Sequence, residues 1–345
     1  MQRSLFSRLA RLLRPSRPHN PSALLPASGG AWAAGGLAAA ALAGSAAFNR
    51  TSARRAEAAT PPAGSFIEGN GARLHYVERG SGPPVVLLHG NGALLQDFGA
   101  SGVLGLAAQE HRVIAFDRPG FGYSERPADR TWTPEAQGAA IADALERLGV
   151  GPAVIVAHSW GTMVALAIAL ARPEMVAGLV LVSGYYYPTA RGDVGPFSLP
   201  AVPLLGGLLA HTLAPLSGRL LAPPMIRASF APAPVPPSFA AFPLAMTLRP
   251  AQIRATAGDN ALMIPAAARL RKRYRALQTP IVAMAGEGDL IAWPSRHAAR
   301  LADEVPSVEL RLFSGQGHML HYTMPDRVVE AIASVWARSG AIAAP

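Results

Sequence analysis

Three residues of the types that nucleophilic hydrolysis requires follow three separate apolar segments. They are Ser159, Asp289 and His318, after the apolar runs 153–157, 280–285 and 308–313. A serine hydroxyl is a poor nucleophile unless an imidazole takes its proton, and a carboxylate must hold that imidazole in the correct tautomer. The carboxyl ends of parallel strands share one edge of a sheet, where active sites are built. The pattern therefore predicts a nucleophile, an acid and a base at one edge.

The segment around Ser159 predicts a strand, a sharp turn and a helix. His158-Ser159-Trp160-Gly161 follows the apolar run and precedes the Ala-, Leu- and Ile-rich stretch 162–171. This geometry lifts the serine hydroxyl out of the sheet and places it at a helix N-terminus. The helix dipole and the next backbone N–H then face negative charge on a bound carbonyl oxygen. The alternative is that Ser159 serves only as the N-cap of the helix.

The acid and the base each have a neighbouring rival. Glu287 precedes Asp289 by two residues, and His321 follows His318 by one helical turn. Asp289 is also placed to cap the helix predicted after it. Two other histidines are interpreted as structural, hydrogen-bonded near the edge of the sheet: His89 and His158.

Five glycine-containing segments resemble motifs of the α/β-hydrolase fold family, in its capped branch. They are HGNG at 89–92, DRPGFGYS at 117–124, AHSWG at 157–161, GEGD at 286–289 and GQGH at 315–318. The family's nucleophile elbow is G-x-S-x-G, and Ala157 here takes the place of the first glycine. The resemblance covers about residues 65–338, in the chain order serine, acid, histidine that this fold uses.

The resemblance implies a role for each residue of the site. Ser159 is expected to be the nucleophile, Asp289 the acid and His318 the base. The backbone N–H groups of Asn91 and Trp160 are expected to form the oxyanion hole. The loop 117–124 is expected to set a turn beneath the site, and no cofactor or metal is required.

Short apolar strands alternate with helices from residue 65 onward. Strands are predicted at 65–68, 72–78, 85–88, 113–116, 153–157, 178–182, 280–285 and 308–313, and helices at 134–148, 162–171, 295–303 and 326–336. Asn70-Gly71 is a strong signal for a hairpin between the first two strands. The alternation predicts an α/β fold with a mostly parallel sheet covered by helices on both faces.

The alternation stops over residues 185–265. This segment contains 14 prolines and only seven charged residues. It is too long for a plain loop in a compact domain, and its apolar runs argue against disorder. We predict an inserted helical cap, with 65–184 and 266–340 as the core. Tyr185-Tyr186-Tyr187 begin the cap, either lining its pocket or packing it onto the core.

The basic excess of the chain lies at its N-terminus. The chain has a formal net charge of +10. Residues 1–60 contain eight arginines and one acidic residue, Glu57, so the rest of the chain is close to neutral. A nucleic-acid-binding domain carries its basic surface on the folded body, so no nucleic-acid partner is expected. The absence of cysteine excludes disulfides and thiolate chemistry.

Residues 31–48 carry no charge and are just long enough to span a bilayer. We predict an N-terminal membrane anchor here, preceded by the basic extension 1–30, in a protein of the bacterial inner membrane. A cleaved signal segment, giving a secreted or periplasmic protein, and a disordered Ala-rich extension are the alternatives. Residues 49–64 are interpreted as a linker, so a chain beginning near Thr60 is expected to be soluble and active.

These features favour a serine hydrolase that cleaves an ester or related acyl bond of a hydrophobic small molecule. Cofactor-free haloperoxidase or perhydrolase chemistry and C–C bond hydrolysis stay open on the same triad. A membrane-tethered binding protein with a relic triad is the non-enzymatic alternative. Asn91 and Trp160 also resemble the halide-cradling residues of haloalkane dehalogenases, but those enzymes need an aspartate where Ser159 stands. The substrate and the oligomeric state are left open.

Overall fold

An eight-stranded sheet forms the centre of the protein. The computed structural model describes residues 28–192 and 194–340. The strands are β1 (Ser65–Gly69), β2 (Ala72–Arg79), β3 (Pro84–Leu88), β4 (Arg112–Phe116), β5 (Ala153–His158), β6 (Val176–Val182), β7 (Ile281–Gly286) and β8 (Val308–Phe313). Their order is β1-β2-β4-β3-β5-β6-β7-β8. β2 runs antiparallel to both neighbours, and the other pairs are parallel. The predicted mostly parallel α/β sheet is confirmed.

Local sequence explains why these segments form a sheet. Asn70 and Gly71 both adopt positive φ, at 43° and 79°, as the two-residue turn between β1 and β2 requires. Every residue of β5, β6 and β7 is buried. Because both faces of these strands are covered, none of their side chains points to solvent, and their sequences are continuous apolar runs.

Helices cover both faces of the sheet and form the insert between β6 and β7. They are α1 (Ser28–Ala59), α2 (Gln96–Ala100), α3 (Val103–Ala107), α4 (Pro134–Arg147), α5 (Gly161–Ala171), α6 (Val194–Ser198), α7 (Leu205–His211), α8 (Leu213–Phe230), α9 (Leu244–Thr247), α10 (Pro250–Leu270), α11 (Ala298–Glu304), α12 (Leu320–Thr323) and α13 (Pro325–Ser339). α4 and α5 pack on one face, and α3 and α13 on the other. α6 to α9 lie within the segment predicted as a helical cap. α10 begins in that segment and continues to Leu270, beyond its predicted end at residue 265.

The N-terminal part differs from the expectation of an anchor followed by a linker. Residues 1–27 of the predicted basic extension lie outside the described residues. The chain divides into two units, Met1–Gly44 and Ser45–Pro345. The predicted anchor, 31–48, lies within α1, whose Ala- and Gly-rich sequence is not apolar enough for a span. No single helix of the described residues is long and apolar enough to cross a membrane. The helical segments Val194–Ala201 and Leu205–His211, which meet at an angle of 99°, together have the length and composition of a membrane-spanning segment.

Residues 49–59, interpreted from sequence as part of a linker, are helical and packed. Ala56 is buried beside Leu94 and Met246, and Glu57 pairs with Arg249 at 3.0 Å. Asn49 is 2% exposed. This end of α1 therefore belongs to the folded unit, and a chain beginning near Thr60 loses contacts to both the core and the insert.

Asn49→Ala is expected to destabilise the protein by about 1–3 kcal/mol, because it leaves buried polar groups without partners. The Asn49 amide donates to the carbonyl oxygens of Thr212 at 2.7 Å and His211 at 3.1 Å, and its oxygen accepts from Arg219 at 3.0 Å. Urea unfolding measures the effect. Thr51→Ala is the control, since the exposed Thr51 hydroxyl bonds only to Ala47 in its own helix. Equal midpoints for the two variants would contradict a clamping role for Asn49.

Candidate active site

The structure brings Ser159, His318 and Asp289 into one hydrogen-bonded line. Ser159 Oγ lies 2.9 Å from His318 Nε2, and His318 Nδ1 lies 2.8 Å from Asp289 Oδ2. The three residues follow β5, β8 and β7, so their side chains meet at the carboxyl edge of the sheet. In this arrangement the imidazole can take the serine proton while the carboxylate fixes the ring.

The turn that carries Ser159 is strained and closely packed. Ser159 has a φ of +51°, a left-handed conformation that is unusual for a residue with a side chain. A Cβ atom on Gly161 would lie 2.6 Å from the carbonyl oxygens of both Leu88 and His89. Gly161, two residues after Ser159, is therefore required by space. Ala157, which replaces the first glycine of the elbow pattern, is fully buried in the core cluster beside α5.

Asp289 is held as a buried carboxylate. It is 2% exposed, and its Oδ1 accepts hydrogen bonds from the N–H groups of Ile291 at 2.8 Å and Ala292 at 2.9 Å. Burial alone would raise the pKa of Asp289, but His318 and these N–H groups outweigh it, so the pKa lies below its ordinary value. The rival acid Glu287 is exposed and lies outside this network.

The loop that carries His318 is attached to the end of α8. The N–H of His318 donates to the carbonyl of Ser229 at 2.9 Å. A Cβ atom on Gly317 would lie 2.2 Å from the carbonyl oxygen of Ala231, so this position must be glycine. The rival base His321 bonds instead to Asp97, at 3.0 Å between Nε2 and Oδ2, and is fully buried.

Asn91 and Trp160, predicted to form the oxyanion hole, line the same cavity as Ser159. The side chains of both residues donate hydrogen bonds to α10. The Asn91 amide donates to Asn260 Oδ1 at 2.8 Å, and the Trp160 indole donates to the carbonyl of Asp259 at 3.0 Å. These bonds fix the backbone at Asn91 and Trp160, beside Ser159. The indole N–H is thereby committed to the protein itself.

A buried ion pair next to the segment 89–92 was not predicted from the sequence. Arg118 and Asp259 are both fully buried and lie 2.8 Å apart. The Arg118 guanidinium also donates to the carbonyls of His89 at 2.8 Å and Gly90 at 3.0 Å. A sequence signal existed, because Asp259 is the first acidic residue after a stretch, 194–258, that contains none.

Three histidines around the site are held neutral by burial. Burial, reinforced by Arg118, lowers the pKa of His89 to about 3, and burial lowers the pKa of His297 to about 4. Burial, with His321 and His318 nearby, holds the pKa of His158 well below its usual value. His89 Nε2 accepts from the N–H of Arg118 at 3.0 Å, consistent with the structural role expected for it.

The free energy of unfolding is expected to decrease as the pH falls from about 6.5 towards 4. In the unfolded chain these histidines bind protons near pH 6.5, whereas in the folded chain they do not, so acid favours unfolding. Each of the three histidines changes the free energy of unfolding by roughly 1.4 kcal/mol per pH unit in that range. The measurement is urea unfolding at several pH values.

His297→Asn should make this pH dependence shallower, because it removes one of the groups that binds a proton only in the unfolded chain. The Asn side chain can still accept the N–H bonds of Tyr186 and Tyr187 that His297 Nδ1 now accepts, so the fold should be retained. His211→Asn is the control, since His211 is exposed. A slope unchanged by His297→Asn would show that the neutral imidazole of His297 is not the cause.

Asp97, His158 and His321 form a buried group whose ligand atoms lie within 4.8 Å of one another. Two of the ring nitrogens are already engaged: His321 Nε2 bonds Asp97, and His158 Nε2 lies 3.1 Å from the carbonyl of His318. These bonds link the group to the backbone of the candidate base, so its evident role is to support that loop.

The candidate triad opens into a cavity of about 670 Å³ beneath the insert. Apolar side chains from α8 and α10 form much of its wall, including Leu221, Met225 and Ile253. Tyr185 also lines it, whereas Tyr186 and Tyr187 are fully buried between neighbouring elements. The wall of this cavity is mainly apolar.

Comparison with known proteins yields relatives of several activities. The chain is 29% identical over 296 residues to a 2-hydroxymuconate semialdehyde hydrolase of Pseudomonas putida, covering 82% of this chain and 97% of that protein. It is 29% identical over 133 residues to haloalkane dehalogenase 2 of Mycobacterium tuberculosis, which covers 39% of this chain and less than half of that protein, 46%. A thermophilic esterase structure from Thermogutta terrifontis matches with a TM-score of 0.62 and 21% identity, covering 80% of this chain and 99% of that one.

The sequence profile of the alpha/beta hydrolase fold matches residues 83–325, which span β3 to the start of α13. The matched region contains the elbow turn after β5 and the segments that follow β7 and β8. The family relationship extends over most of the chain and agrees with the observed strand order. By sequence and by structure, this chain belongs to the α/β-hydrolase fold family.

Proposed function

We propose that this hydrolase cleaves an ester or related acyl bond of a hydrophobic small molecule. Ser159 is the nucleophile, His318 the general base and Asp289 the residue that orients His318. The observation that carries the proposal is the continuous line of 2.9 Å and 2.8 Å hydrogen bonds through these three residues, at the wall of an apolar cavity.

In the acylation step, Ser159 Oγ attacks the substrate carbonyl carbon while His318 Nε2 takes the hydroxyl proton. The carbonyl oxygen gains negative charge, which the backbone N–H groups of Asn91 and Trp160 stabilise. The tetrahedral intermediate collapses, the bond to the alcohol oxygen breaks, and His318 returns its proton to that oxygen. The alcohol leaves, and the acyl group stays on Ser159 as an ester.

In the deacylation step, water replaces the alcohol. His318 takes a proton from the water, and the resulting hydroxide attacks the acyl carbon. Collapse releases the carboxylic acid and returns the proton to Ser159 Oγ. Asp289 stays ionised throughout, which agrees with its lowered pKa. Apart from the substrate and water, both steps use only groups of this chain.

Dehalogenation is disfavoured by two features of the site. An alkyl-enzyme ester forms on a carboxylate nucleophile, and Ser159 stands at that position. The Trp160 indole N–H, which would be needed for a halide, donates to the Asp259 carbonyl. The similarity to haloalkane dehalogenase 2 covers less than half of that enzyme, so it supports shared ancestry of one region.

C–C bond hydrolysis is the second candidate. The observation that favours it is the nearly full-length similarity to the 2-hydroxymuconate semialdehyde hydrolase, 97% of which is covered. The same nucleophile and base would serve, with a carbon leaving group accepting the proton from His318 in place of an alcohol oxygen.

The test is a substrate panel on the full chain: p-nitrophenyl esters of increasing acyl length, 2-hydroxymuconate semialdehyde and a bromoalkane. We expect ester hydrolysis whose kcat/KM rises from the acetate to medium-chain esters, because the apolar wall binds the longer acyl groups. Ser159→Ala is the matched control for each substrate. C–C cleavage with a higher kcat/KM than any ester would favour the second candidate, and bromide release dependent on Ser159 would contradict both.

A further inference from the structure

The helix α8 presents three different faces. One face carries Arg219, which bonds to Asn49 of α1 and whose guanidinium lies 5.0 Å from the Phe48 ring. A second face, which includes Leu221 and Met225, lines the cavity. The third face consists of leucines spaced three and four residues apart, and none of them lines the cavity: Leu213, Leu216 and Leu220.

This third face is exposed to an unusual degree for apolar side chains. Leu213 is 53%, Leu216 38% and Leu220 77% exposed. On the neighbouring α7 and the turn before it, Leu208 is 51% and Leu204 97% exposed. We call these five leucines the cap leucine face. Clustered exposed leucines are unfavourable in water and mark a surface that is covered in use.

The charges around the cap leucine face have one sign. Residues 194–258 contain no aspartate or glutamate. Arg227 is exposed on α8, and on the adjoining part of α1 the side chains of Arg50, Arg54 and Arg55 are exposed. Glu57 is the acidic residue of that part of α1, and it is paired with Arg249. An apolar face in a segment, 194–258, whose charged residues are all arginines complements an anionic lipid surface.

We propose that the cap leucine face docks on the surface of a phospholipid bilayer that contains anionic lipid. The leucines enter the boundary between headgroups and acyl chains, and the arginines contact lipid phosphates. This surface is separate from the anchor predicted over residues 31–48, and docking does not depend on the reaction at Ser159.

Docking at this face would place the cavity next to the lipid. Leu221 and Met225 line the cavity and are 40% and 51% exposed, and they lie on the same helix as Leu220. An apolar substrate dissolved in the bilayer would then reach the cavity without crossing water. A second copy of the chain is a weaker occupant, because a face with arginines and no carboxylates offers no charge partner to its own copy.

The test is flotation of the full-length chain with vesicles of phosphatidylcholine containing about 30% phosphatidylglycerol, compared with pure phosphatidylcholine. We expect binding to the anionic vesicles that weakens in high salt. Leu213→Glu/Leu220→Glu should lower the partition coefficient by about 10-fold or more, since it removes two apolar contacts and adds two negative charges. Leu312→Glu is the control for introducing a carboxylate, because Leu312 is 44% exposed on β8, away from the face.

Each outcome decides the question. Binding lost in the double variant and kept in Leu312→Glu, with equal thermal midpoints, supports docking at this face. Absence of binding by the unaltered protein, or equal binding by the double variant, overturns it. Light scattering gives one more contrary result: a dimer of the unaltered protein that the double variant abolishes, without vesicle binding, would assign the face to a second copy.

Discussion

Replacing Ser159 with alanine is expected to lower kcat for ester hydrolysis by roughly 10³-fold or more. The variant removes the atom that forms the acyl-enzyme, and His318 then has no hydroxyl to deprotonate. The fold should be retained, because alanine fills less space than serine in a turn already fitted around Gly90 and Gly161. The measurement is kcat and KM for a p-nitrophenyl ester, with the thermal midpoint recorded for both proteins.

The control for this prediction is Ser307→Ala. Ser307 precedes β8 at the opposite end of that strand from His318, and its hydroxyl bonds to the carbonyl of Leu277. Its removal should leave kcat unchanged. Activity retained by Ser159→Ala, or lost equally in Ser307→Ala, would contradict the assignment of Ser159 as the nucleophile.

Removing the acid of the buried ion pair is expected to produce the largest loss of stability. Asp259→Ala should lower the free energy of unfolding by about 3–5 kcal/mol, because it leaves Arg118 charged and buried without its partner. Asp259 also pairs with Arg126 at 3.0 Å and accepts from Gln137 at 3.1 Å. Burial already lowers the pKa of Arg118, and Asp259 is the main group opposing that effect. Chemical unfolding measures the loss.

Two further variants make the ion-pair prediction specific. Asp129→Ala removes an exposed partner of Arg130 and should leave the unfolding midpoint unchanged, because exposed pairs contribute little. Arg118→Met/Asp259→Leu should recover part of the loss, since neither charge is then buried alone. A double variant no more stable than Asp259→Ala would contradict the explanation by an unpaired charge.

Much of the sheet was predictable because its sequence signals lie in neighbouring residues of the chain. Continuous apolar runs marked β5, β6 and β7, and Asn70-Gly71 marked the first hairpin, so all eight strands lie within two residues of their predicted bounds. The segments around Ser159, Asp289 and His318 were recognisable because each joins a strand to a glycine-containing turn. Glycine is needed there for contacts such as that between Gly161 and the carbonyl of Leu88.

Other features could not be read from local sequence, since they depend on contacts between distant residues. Asp259 lies 141 positions from Arg118, so their ion pair has no local pattern. α1 was interpreted as an anchor and a linker because its Ala-rich composition resembles both. Its packed end is defined by single contacts, such as those of Asn49 with Thr212. From the residue types alone the rivals Glu287 and His321 stayed open, and only the motif resemblance favoured Asp289 and His318 over them. In the structure Glu287 is exposed and His321 bonds Asp97.

The most direct test of the proposed function is to locate the covalent adduct formed with a fluorophosphonate. Phosphonylation requires a serine activated by a base, so it reports the proposed nucleophile without knowledge of the substrate. The labelled protein is digested with trypsin, and the peptides are fragmented in a mass spectrometer. Fragmentation is needed because Ser159 and Ser183 lie in the same tryptic peptide, between Arg147 and Arg191. We expect one adduct, on Ser159, that is lost in His318→Ala. An adduct on Ser183 or another serine, or an unlabelled protein that still hydrolyses esters, would contradict it.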